Sequence, residues 1–176
     1  MAIKICGNTI VPNISGCNTT SGNLAIGINS LNATTTGCNN TAIGHSSLVN
    51  NTIGTNNVAI GYCSLYCNTT GVQNTAVGQG ALQNNTGGYQ NSAVGSGALY
   101  CNTSGINNTT MGWNSLYANT TGSCNTANGY RALYANSIGT TNSAVGSNAL
   151  YSNTTGSCNT AVGSFSLYSN TTGSYN

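Results

Sequence analysis

The chain contains no aspartate and no glutamate, and its only lysine and arginine are Lys4 and Arg131. Ordinary soluble domains carry roughly 25% charged residues, so this deficit excludes several classes of function. A nucleic-acid surface needs several cations to displace counter-ions from phosphates, and two isolated ones make no such footprint. Calcium-binding rolls need loop carboxylates, which are absent. No apolar run approaches the ~20 residues of a membrane span, so membrane insertion is not expected. The opening MAIKI is too short for a signal peptide. Low hydrophobicity does not imply disorder here, because disordered chains are charged and aperiodic, and this one is strictly periodic.

The period is 17 residues. Asn23, Asn40, Asn57, Asn74, Asn91, Asn108, Asn125, Asn142 and Asn159 open successive copies without insertion or deletion, and Asn176 begins a tenth. The fifth position is glycine from Gly27 to Gly163, the fifteenth is glycine from Gly37 to Gly173, and the ninth is leucine from Leu31 to Leu167. A unit this short cannot bury a core alone, so the copies must stack into one elongated body.

Each unit has two short apolar bursts, at positions two to four (Thr160-Ala161-Val162) and eight to ten (Ser166-Leu167-Tyr168), between glycine-bearing turns. The glycine and asparagine load excludes helices, and the bursts read as strands joined by tight turns. The expected fold is all-β: a parallel β-solenoid, or β-roll, of 17-residue two-strand coils over residues 23–176. Residues 1–22, off-register and holding the only proline, Pro12, read as a cap or docking segment. The core is expected to pair the leucine ladder with a facing ladder of Ile26, Ile43, Ile60, Val77, Val94, Met111, Val145 and Val162, interrupted at Asn128. The small positions, such as Ala93 and Ala98, are left for a second chain. One leucine and one valine per coil cannot offset the entropy of ordering 17 residues, which predicts self-association. The last residue opens a new coil without a polar cap, which adds the expectation of head-to-tail contact.

NNVAIGYCSL (Asn56 to Leu65), NNTAIGHSSL (Asn39 to Leu48) and NSAVGSGAL (Asn91 to Leu99) resemble the head repeats of trimeric autotransporter adhesins. The longer form NTAVGxxALYxNTTG is similar to repeat tracts of phage and virus tail-fibre proteins. The resemblance covers residues 23–175. It implies a left-handed parallel β-roll that trimerises, in an extracellular or virion-surface setting. The adhesin repeat is shorter, and nothing here resembles a coiled-coil stalk or membrane anchor.

Chemistry-bearing residues are few. His45 at position six and Cys63 at position seven of the next coil form the one possible thiol–imidazole pair, against the plain alternative of a turn histidine beside a small residue. Cys63 and Cys67 offer two ligands where tetrahedral zinc wants four. No catalytic, metal or cofactor residue is assigned. Of the eight cysteines, Cys6 and Cys17 are the candidate disulfide, an end clip outside the array. Cys67 and Cys101, and Cys124 and Cys158, lie two units apart, about 10 Å at strand spacing, beyond the reach of a disulfide; they read as free thiols or as links between chains.

The asparagine-threonine turns create N-glycosylation acceptors at Asn68, Asn102, Asn119, Asn153 and Asn170, with related ones at Asn32, Asn50 and Asn84, all expected on one exposed corner. Tyr100, Tyr117, Tyr134, Tyr151 and Tyr168 form a ladder at position ten, and Trp113 and Tyr130 adjoin at position six. These read as sheet-stiffening stacks, with sugar binding the functional alternative.

The leading reading is therefore a non-enzymatic structural subunit of an extracellular or virion-associated fibre, with adhesion as a secondary role. Its partners would be copies of itself, glycans or a cell-surface ligand, and no cofactor is implied. The rival is an ice-binding solenoid using threonine and asparagine ladders, weakened by Leu24, Val58, Ile53, Gly87 and Ile138 within the hydroxyl columns.

Overall fold

The computed structural model describes residues 3–5 and 8–10 by their backbone, and 22–34 and 36–176 in full. Strands β1 (Ile3–Ile5) and β2 (Asn8–Ile10) pair antiparallel, Ile3 opposite Ile10. Then β3 (Leu24–Ile26), β4 (Thr41–Ile43), β5 (Val58–Ile60), β6 (Thr75–Val77), β7 (Ser92–Val94), β8 (Thr109–Met111), β9 (Thr126–Asn128), β10 (Ser143–Val145) and β11 (Thr160–Val162) form one parallel sheet in sequence order. Each strand pairs with the equivalent residues of the next coil, as Ala76 with Ala93. The chain is a parallel β-solenoid, and at about 4.8 Å per step its sheet is roughly 38 Å long.

Each coil contains one strand, not two. Positions eight to ten form a turn, because the leucine at position nine is left-handed in every coil, with φ between 48° and 54°. A leucine there is strained, yet it directs a fully buried side chain into the core from Leu48 to Leu150. Its N–H still bonds to the next coil, as Leu65 N to Ala81 O at 3.0 Å. Positions seven and seventeen are left-handed as well, so the coil turns sharply at three non-strand points.

Strand alternation decides which side faces in. The inward residue is the alanine at position three, fully buried from Ala42 to Ala144 except where Thr110 replaces it. Ile26, Ile43, Ile60, Val77, Val94, Met111, Val145 and Val162 therefore point outward rather than opposing the leucines; Met111 is 56% and Val162 73% exposed. Asn128 shares that outer column and is not a polar core residue. Ala93 and Ala98 are fully buried and present no surface to a second chain. The inward position opposite Leu is alanine in every coil except at Thr110.

The remainder of the core is asparagine. Position one forms one buried ladder, from Asn40 to Asn159, and position twelve a second, from Asn51 to Asn153. Within one coil, Asn57 and Asn68 both donate Nδ2–H to the carbonyl of Gly71, at 2.8 and 3.1 Å. Each also donates to the Oδ1 of the asparagine one coil earlier, Asn57 to Asn40 and Asn68 to Asn51. A buried amide must spend its donors and acceptors inside, and this arrangement does so in coil after coil. The position-fifteen glycine is required by close approach: a Cβ on Gly71 would overlap the Asn68 amide and meet the Gly88 carbonyl at 2.5 Å. The position-five glycine combines crowding with φ near 130°, a region only glycine enters freely.

Candidate interaction surface

The outer face of the β3–β11 sheet carries two columns. Position four is apolar in every coil but that of Asn128. Position two holds Leu24, Thr41 and Val58, then an unbroken hydroxyl run of Thr75, Ser92, Thr109, Thr126, Ser143 and Thr160. No charge interrupts either column. Flanking them, position six places His45 on Tyr62 (ring centres 5.5 Å apart) and Trp113 on Tyr130 (5.2 Å).

The turn at positions eight to ten carries the tyrosine ladder. Tyr100, Tyr117, Tyr134, Tyr151 and Tyr168 stack with centres 5.1 to 5.4 Å apart and planes within 10° of parallel. Ring faces are thus consumed by neighbouring rings, and the row offers solvent its edges. Stiffening by stacking fits this geometry; a sugar has no free face to stack on along the interior of that row.

The corner at positions thirteen to fifteen is closed by backbone. The N–H groups of Thr69, Thr70 and Gly71 converge on the carbonyl of Thr86, at 3.1, 3.1 and 3.3 Å, and the Thr69 hydroxyl donates to the same oxygen. Position thirteen is Thr or Ser in every coil for that reason.

The asparagine acceptors divide. Asn68, Asn102, Asn119 and Asn153 are fully buried members of the position-twelve ladder, so their placement on an exposed corner is corrected. Their Nδ2 atoms, the attachment point of an N-glycan, each make two internal hydrogen bonds. Asn32 is exposed, while Asn50, Asn84 and Asn170 are half-buried. The Asn50 amide donates to Tyr66 O, and that of Asn170 to Asn153 and Gly173.

His45 lies on the phenol of Tyr62, and the Cys63 backbone N–H donates to its carbonyl at 3.0 Å. A hydrogen bond with Cys63, followed by repulsion from its thiolate, holds the Tyr62 hydroxyl above its usual pKa. Burial raises the Cys67 thiol, with repulsion from Cys63 adding to it, and burial alone raises Cys101. A nucleophilic thiol needs the opposite shift. Cys63, Cys67, Cys101, Cys124 and Cys158 are free thiols, while Cys6 and Cys17 lie outside the described residues. Among the described residues, no three His or Cys side chains are grouped closely enough to hold a metal ion, and no helix is long and apolar enough to cross a membrane.

Asparagine ladders were expected from the sequence, but not their place in the core. No family model matches this chain, and no curated protein or solved structure does so either.

Proposed function

We propose that this chain is a non-enzymatic structural subunit of an extracellular or virion-associated fibre, self-associating through the outer face of its nine-stranded sheet. The observation that carries the reading is the position-four column, Ile26 to Val162, apolar and outward-facing in a chain whose core does not need it. In a lone solenoid this column, broken only at Asn128, leaves Ile60, Val94, Met111, Val145 and Val162 exposed to water. A second copy carries the same flat, uncharged column and has no charge to oppose it. The likeness of NSAVGSGAL (Asn91 to Leu99) to adhesin head repeats and tail-fibre tracts supports a fibre setting. Glycans, in this reading, sit on Asn32, Asn50, Asn84 or Asn170, and adhesion is secondary. Electron microscopy of the purified chain at high concentration tests it: elongated assemblies are expected, and compact monomers alone would refute it.

One observation favours a second reading. The six consecutive hydroxyls from Thr75 to Thr160 stand on successive strands of one parallel sheet, a regular array of the kind that ice binding needs. Thermal hysteresis or inhibition of recrystallisation would support ice binding, and the absence of both would remove it.

A further inference from the structure

Arg131 is the only lysine or arginine of the repeat array, and the sequence has no aspartate or glutamate to pair with it. Its guanidinium carbon lies 4.9 Å from the centre of the Trp113 ring, 5.4 Å from Tyr130 and 5.3 Å from Tyr134. Three aromatic rings thus surround the guanidinium, Tyr134 with its edge because both its faces are stacked. Its Nε is hidden from solvent with no hydrogen-bond partner, and the fork's terminal nitrogens are the donors left to solvent. A guanidinium among these rings, with its fork unsatisfied and no counter-ion in its own chain, is prepared for an external oxyanion.

The surroundings narrow the class of ligand. The Trp113–Tyr130 stack is only two rings long, because position six is Ser96 in the preceding coil and Ser147 in the following one. Serine is too short to cover an indole or a phenol, and Trp113 is 43% and Tyr130 47% exposed. An open aromatic face accepts the C–H face of a pyranose. We propose that Trp113, Tyr130, Arg131 and Tyr134 form a binding site for a carboxylated sugar, the carboxylate on the Arg131 fork and the ring against Trp113. This site goes beyond the fibre reading and does not depend on it.

Trp113 is the only tryptophan and is 43% exposed, so its fluorescence reports the site. The full chain is titrated with sodium glucuronate, glucose and sodium acetate at constant ionic strength. The expected result is a saturable change with glucuronate, a clearly weaker affinity for acetate, and no change with glucose. Arg131→Asn is the matching variant, since Asn114 and Asn148 hold the same left-handed position in the adjoining coils. Loss of the charge-assisted bonds is expected to weaken glucuronate binding about tenfold or more. Circular dichroism of the variant, unchanged from the parent, shows that the coil is intact. No saturable response to glucuronate, an equal response to glucose or acetate, or full affinity in a folded R131N chain would each overturn the proposal.

Discussion

The Oδ1 of Asn74 accepts two hydrogen bonds from Asn91 one coil later, from its backbone N–H and from its side-chain Nδ2, both at 3.1 Å. The Asn91 amide then donates its second hydrogen to Gly105 O at 2.9 Å, and its own oxygen serves Asn108 in the same way. The oxygen and one amide hydrogen of each ladder asparagine are satisfied by the coils on either side and the other hydrogen by a carbonyl of its own coil, so coil stacking and polar burial are coupled.

Asn91→Ala keeps the backbone N–H of residue 91 on the Asn74 oxygen, but it removes the acceptor of the Asn108 backbone N–H and of one Asn108 Nδ2 hydrogen, and one of the two amide bonds to Gly105 O. Each buried unsatisfied group costs about 1–3 kcal/mol, so a loss of about 3 kcal/mol or more is expected in urea unfolding. A midpoint within error of the parent would show that the ladder is incidental.

Thr110 is the converse case. It occupies the inward position three, where the other coils have alanine, and its Oγ1 is buried without a partner. Thr110→Ala is expected to stabilise by about 1 kcal/mol, seen as a higher thermal midpoint.

The glycines separate by position. A Cβ on Gly78, at φ +131°, would meet both the carbonyl carbon and oxygen of Gly95 at 2.6 Å, whereas one on Gly87 would meet only the Thr70 hydroxyl at 3.3 Å. Gly78→Ala is expected to cost several kcal/mol or to prevent folding. Gly87→Ala should stay within about 0.5 kcal/mol of the parent; parallel thermal melts decide between them.

The pH profile should be one-sided. Acid unfolding arises mostly from protonating paired carboxylates, and this chain has no acidic side chain. On the alkaline side, burial holds the Cys67 and Cys101 protons more tightly in the folded chain. The unfolded chain releases them first, so their contribution is full below the ordinary thiol value of about 8.5 and is lost as pH rises through it. Thermal midpoints should fall above that pH. The fall should flatten in a Cys67→Ala, Cys101→Ala double variant, alanine being native at this position in Ala118 and Ala135.

The period, the parallel stack and the leucine ladder were legible because identical residues recur at one spacing. The inside of the coil was legible only in part. Val162 outranks Ala161 in hydrophobicity, so a reading by transfer free energy puts valine in the core, but strand alternation admits only one of them, and the inward position three is alanine in every coil except at Thr110. Asn68 reads as an exposed turn because Asn-Thr-Thr is turn chemistry. The available signal was that position twelve stays asparagine from Asn51 to Asn170 while position fourteen passes through Ile53, Gly87 and Ser104; solvent imposes no such constancy. The left-handed leucines had no signal, since long-range packing overrides the local preference of Leu65 or Leu82 against positive φ. At position seven, by contrast, Gly80, Gly97, Asn114 and Asn148 announce the left-handed turn.

The central claim is that the outward apolar column joins copies of this chain. Sedimentation equilibrium across a range of concentrations tests it on the parent and on a Val94→Asn, Met111→Asn, Val145→Asn variant, with Asn128 showing that the column tolerates asparagine. The account predicts an associating parent and a folded, monomeric variant. A parent that stays monomeric, or a variant that assembles equally well, would contradict it.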